Sequence, residues 1–151
     1  MASKAWQTPL RLAAGAFILN SGLGKWGLQG EAAEGLHGFA AAGHPELEEV
    51  DPDTFATGLS AGEIGLGAAL LAPFVPAWLA GTGLTAFALG LNRLYWNAPG
   101  LRQSGDVRPT EDGTPIAKDI WLTGIGVALI AGDLADRRRK RRSAETTTDE
   151  D

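Results

Sequence analysis

The chain contains no cysteine. It can form no disulfide, exchange no thiol and offer no thiolate to a metal, so sulfur chemistry carried by its own side chains is excluded. Histidine is scarce as well, limited to His37 and His44 in a connector rich in carboxylates. Two histidines in a mobile acidic loop, without a rigid ligand spacing, read as solvated residues, and no metal site is expected. Positive charge is missing from residues 29–54, and charge of either sign from residues 64–92. The uncharged stretch is broken only by PFVP, where Pro73 and Pro76 end one apolar helix and start the next.

The 151 residues fit one domain. A mean hydropathy of −0.03 would suit a soluble protein, but it averages apolar blocks against strongly charged connectors. The blocks cover residues 10–28, 55–72, 77–94 and 116–134. Each approaches the roughly 20 residues that cross a hydrocarbon core about 30 Å thick. They are apolar around most of their circumference, which fits neither strand alternation nor a single amphipathic stripe. Trp6, Trp26, Trp78, Tyr95 and Trp96 fall at block ends, where amphipathic rings prefer the headgroup level, and Trp121 lies slightly deeper. Glycine, at 21 residues, has no collagen-like period and suits membrane helices. The expectation is an all-α integral membrane four-helix bundle. Residues 1–9 form a short N-terminal segment, 10–134 the transmembrane domain and 135–151 a charged tail.

Topology follows from the charges. Arg137, Arg138, Arg139, Lys140, Arg141 and Arg142 form an unbroken basic run directly after the last apolar block. Such a run can bind nucleic acid, act as a localisation tag or mark the cytoplasmic end of a membrane helix. With 18 acidic residues against 13 basic ones the molecule has no global field for phosphate, and an apolar block is an unusual neighbour for a nucleic-acid arm. The cytoplasmic reading places both termini inside, Lys4 and Arg11 among them, and the acidic connector 29–54 outside. Arg102 and Arg108 in the second outer loop are minor exceptions. The same six cations suit anionic lipid headgroups. A cleaved signal peptide fits poorly, because the small-residue stretch FAAAG lies too far beyond the first apolar segment.

Two motifs resemble catalytic signatures and lack their context. GLSAG at 58–62 matches a nucleophile elbow, but no sheet is expected and both histidines precede Ser60. GLGKWG at 22–27 matches a dinucleotide fingerprint with no strand before it. Both read better as small residues permitting close helix approach, as do the pairs Gly58 with Gly62, Ala61 with Gly65 and Ala128 with Gly132.

Ionisable groups inside a span are costly and tend to be paired or functional. A rise of about 1.5 Å per residue puts Lys25, Arg93 and Asp119 near the outer boundary, and Glu63 and Asn20 deeper. An intramembrane polar column follows, with Lys25 reaching down to Glu63 while Arg93, Lys118 and Asp119 close the outer end. Arg11 reads as an interface anchor. Snorkelling accounts for the cations but not for Glu63, which is either a structural tether or a functional group.

RLAAGAFILNSGLGKW (11–26), GLSAGEIGLGAALLAPF (58–74) and KDIWLTGIGVALI (118–130) resemble successive helices of the DoxX family of small bacterial membrane proteins. The likeness spans most of residues 10–134. Arg11, the stretch from Ser21 to Lys25, Glu63 among its glycines, and Lys118 with Asp119 match the family's pattern. The resemblance implies a multi-pass bundle in the bacterial plasma membrane. Some relatives are described as the small subunit of a thiosulfate:quinone oxidoreductase and others as partners of redox enzymes. The loop 97–115 is longer than the family's connectors, and the missing cysteine speaks against direct sulfur chemistry.

The leading expectation is a membrane scaffold or accessory subunit of a redox complex, with no catalytic residues of its own and with the lipid bilayer and a redox enzyme or a second copy as partners. The competing ones are a small proton-coupled transporter using Glu63, and a quinone-interacting subunit of a membrane oxidoreductase. Only the last calls for a cofactor, a quinone.

Overall fold

A computed structural model describes residues 5–148, with side chains through residue 143. Lys4 therefore lies outside the described residues. Helices dominate these, and there is no β-strand among them, only one isolated bridge between Arg102 and Pro109. The protein is all-α. Four long helices carry the architecture: α1 (Gln7–Lys25), α3 (Pro52–Leu71), α4 (Ala77–Asn97) and α6 (Ile120–Thr148). Between them lie α2 (Glu31–Ala41), a 3-10 turn (Pro45–Leu47) and the single-turn α5 (Thr114–Ala117).

Local chemistry sets the ends. Asp51 caps α3, its carboxylate accepting from the Thr54 N–H at 2.9 Å with Pro52 in the first turn. Pro73 has no N–H, so the chain leaves the helix at Ala72 and Ala69 loses its regular backbone donor. Pro76 caps α4, as the PFVP turn predicts. At its other end α4 stops where Ala98 turns extended before Pro99.

The helices associate as two antiparallel pairs, α1 with α3 and α4 with α6. In the first pair the backbones nearly touch. A Cβ at Gly67 would stand 2.6 Å from the Leu19 nitrogen, and one at Gly22 would stand 2.8 Å from the Ile64 nitrogen. In the second pair Gly81 and Gly126 do the same. Of the small residues expected at seams, Gly58, Gly62 and Gly65 face open space, and Gly132 receives the Trp6 indole rather than a helix backbone. The apolar core, including Ala14, Ile18, Leu70, Leu84, Leu122 and Leu129, fills the middle and the end nearest the PFVP turn.

By length and apolar composition two stretches are able to cross a membrane, Pro52–Leu71 and Thr114–Ser143. Only 28% and 22% of these windows is buried inside the protein. α6 does not stop at residue 134. It runs on through the basic run, helped by an ion pair from Arg137 to Asp133 at 2.8 Å, one turn apart. The connector 29–54, expected as a mobile loop, is largely helical and folds back over the bundle end.

Candidate functional site

Close packing at Gly22 brings α1 against the turn of α3 that carries Glu63. Ser60 fixes the register by donating to the Gly22 carbonyl at 2.8 Å. Ser21 and Lys25, one helical turn apart, then both reach the carboxylate. Lys25 Nζ lies 2.9 Å from Glu63 Oε2 and 3.2 Å from Oε1, and 2.6 Å from Ser21 Oγ. Ser21 Oγ in turn donates to Glu63 Oε1 at 3.2 Å. The Glu63 side chain is 5% exposed and that of Lys25 23%. A buried carboxylate is tolerable with an opposite charge and a hydroxyl on it, and here it has both.

This cluster forms part of the wall of a pocket of about 400 Å³. Phe17, Leu59, Phe87 and Leu91 supply much of the rest from the long helices, and Phe39 and Leu47 from the folded connector. Asp119, only 7% exposed, completes the wall from just before α6, and its Oδ1 has no hydrogen-bond partner. The arrangement is an apolar cleft with a few converging polar groups.

The expected polar column is realised only in part. Lys25 and Glu63 pair and Asp119 joins them on the pocket wall, but Asn20 does not, because its place on α1 turns it outward, exposed. Arg93 is also elsewhere. Its guanidinium makes a bidentate pair with Glu46 at 2.6 and 2.9 Å, outside the pocket. Lys118 lies with its ammonium 5.4 Å from the Phe17 ring centre. Arg11, read as an interface anchor, is 4% exposed and donates to four carbonyls at the end of α3 and in the following turn: Leu70, Val75, Ala69 and Ala72. It replaces the donor that Pro73 removes.

The histidines are not loose loop residues. His37 Nε2 lies 2.8 Å from the Leu47 carbonyl, and its ring packs edge-on against Phe55. His44 Nε2 lies 3.0 Å from the Gly90 carbonyl on α4, and the residue lines the pocket. With Asn97 donating to Gly43 and Arg93 to Glu46, His44 latches the α2 segment onto α4. Sequence reasoning missed this lid; the available signal was the run of Leu36, Phe39 and Leu47 within an otherwise acidic connector. The Glu46 carboxylate is held below its ordinary value by its own backbone N–H, then by Arg93. Asp51 is lowered by the Thr54 N–H and hydroxyl.

On the opposite end, Arg138, Arg139 and Arg142 share one face of the α6 extension. The loop 97–115 is ordered by the Tyr95 hydroxyl donating to Val107 at 2.7 Å and by Arg102 stacked 4.5 Å over Trp96.

Fold and site thus define a class, an all-helical protein with a buried ion pair opening onto an apolar pocket. No family model, curated protein or solved structure matches the chain.

Proposed function

We propose that the chain is a multi-pass protein of the bacterial plasma membrane, spanned by α1, α3, α4 and α6 as a four-helix bundle with both ends cytoplasmic. In this role it is an accessory subunit of a redox complex that holds a quinone-like amphiphile in its outer half. The observation that carries the reading is the pocket of about 400 Å³ with the Lys25, Ser21 and Glu63 cluster in an otherwise apolar wall. A volume of that size accommodates a small ring with part of its tail. The outward faces of the helices support the membrane part, with Leu12, Leu79, Leu89 and Val127 at least half exposed. A monomeric soluble protein rarely leaves so much apolar surface uncovered. The three segments that resemble DoxX helices agree with both parts.

A transporter must open its site to both sides in turn. The inner half is filled by Leu70, Leu84 and Leu129, each fully buried, which favours a one-sided pocket over a path. In this reading Lys25 offers a positive charge to a carbonyl oxygen, Glu63 keeps that ammonium positioned, and the redox step belongs to the partner enzyme.

The test combines extraction and binding. The protein is expected to stay in the membrane fraction at alkaline pH and, in lipid nanodiscs, to bind decylbenzoquinone saturably by calorimetry. Leu91→Trp, which fills the pocket, should abolish binding. Release from the membrane, or unchanged binding by the filled variant, would sink the proposal; co-purification of a stoichiometric redox enzyme from mild detergent tests the accessory role.

A further inference from the structure

We infer that two copies of the chain pair through the outward face of α1, each Asn20 amide hydrogen-bonding the other across a two-fold axis along the membrane normal. This rests on the reading of α1 as a membrane span and adds the partner of its outer side. Ser60, Thr82, Thr85 and Asn92, also uncharged polar residues of the long helices, are bonded within the chain. Asn20 is exposed, and its amide has no partner among the described residues. Its level is fixed by the seam, where Leu19 meets Gly67 and Gly22 meets Ile64. Asn20 stands between these contacts, and Gly67 is four residues, about 6 Å, short of the nearer end of α3 at Leu71. An amide at that depth meets hydrocarbon, where no water serves its donors and acceptor.

The amide also selects its partner. It carries both donors and an acceptor, so a second copy of itself satisfies it. A two-fold axis along the membrane normal sets residue 20 opposite residue 20 and leaves both copies in one orientation. The face around it permits the approach. Ala13, Ala16 and Gly24 share that side of α1, all exposed, uncharged and small, and Gly24 has open space before it. Ile18, Ser21 and Lys25 line the pocket from the other side of α1, so pairing leaves the pocket free.

The cysteine-free chain makes the contact directly testable by oxidative cross-linking in native membranes. Ala16→Cys, one turn from Asn20, is expected to give a disulfide-linked homodimer, and Val127→Cys, half exposed on α6, is not. Energy transfer between donor-labelled and acceptor-labelled full chains in liposomes gives the affinity. Asn20→Leu should weaken self-association about ten-fold, the scale of an interhelical hydrogen-bonded pair, with an unchanged thermal melt because the residue touches no core. No cross-link at Ala16→Cys, equal cross-linking at Val127→Cys, or wild-type association of Asn20→Leu would overturn the pairing. Co-purification of a different chain that Asn20→Leu releases would assign the amide to that chain and overturn it as well. A monomer retained in the membrane at alkaline pH sinks this contact alone, whereas release from the membrane sinks the membrane reading with it. If Asn20→Leu does not fold, the two cysteine variants decide.

Discussion

Arg11 shows how one side chain can complete another helix. Its fork reaches Leu70, Val75, Ala69 and Ala72 at 2.7 to 2.9 Å, where a helix end and a proline leave carbonyls short of donors. Hydrogen bonds to a charged group are worth about 1.5–3 kcal/mol each, without simple additivity. Arg11→Met should therefore lower stability by about 3 kcal/mol or more, read as thermal unfolding in detergent. Arg11→Lys should recover only part, since a point charge cannot span four acceptors. A melting temperature unchanged by Arg11→Met would remove Arg11 from this role. At the same scale, Lys25→Met leaves a carboxylate at 5% exposure, and breaking such a pair costs about 3–5 kcal/mol. The double variant Lys25→Met with Glu63→Gln should cost less than the sum of the single ones, because the second change removes a group already stranded. Strict additivity in that cycle would mean that the two do not interact.

Among elements, the seam between α1 and α3 depends on backbone contact rather than on interlocking side chains. Gly67→Val would push branched atoms onto the Leu19 backbone and should destabilise by about 1–3 kcal/mol, whereas Gly62→Ala, facing open space, should be nearly silent. Equal losses in a thermal melt would contradict this seam. The α2 lid is held by groups that titrate. Because the folded-state value of Glu46 is depressed, its bonds contribute fully above the ordinary carboxylate range and are lost as pH falls through and below it. Protection factors of the α2 amides, which remove the intrinsic pH dependence of exchange, should consequently fall on acidification, and Glu46→Gln should show lower protection at neutral pH with a flatter pH dependence. A variant with the wild-type profile would show that Glu46 does not hold the lid.

For the whole molecule, the distribution of charge makes an orientation testable. Single cysteines at Ala42 and Ser104 should react with an impermeant reagent on intact cells, and those at Ala5 and Ser143 should not. Labelling at Ser143, or protection of both Ala42 and Ser104, would reverse or dismantle the proposed topology. The six basic residues from Arg137 to Arg142 continue α6 as a charged extension. Neutralising them should reduce binding of anionic vesicles or scramble orientation, with no salt-sensitive DNA affinity to lose.

Much of this was legible in the residues alone. The four apolar blocks with their proline break specify long helices and a hairpin, because composition and helix breakers act locally. Spacing along a helix gives depth, and depth was enough to suggest Lys25 for Glu63. Rotation about the axis was not legible. The blocks are apolar nearly all round, so no stripe marks the inward face, and a turn of about 100° separates one residue from the next. Packing alone placed Asn20 outside and Ser21 inside, moved Arg93 from the column to Glu46, and put Gly67 at the seam beside the expected Gly22, in place of Gly58 and Gly62. Arg11 and the α2 lid depended on contacts more than fifty and more than forty positions away, such as Leu70 and Gly90. Such partners are set by how the helices pack within and between the two pairs, a property of the assembled chain that no local stretch of sequence contains.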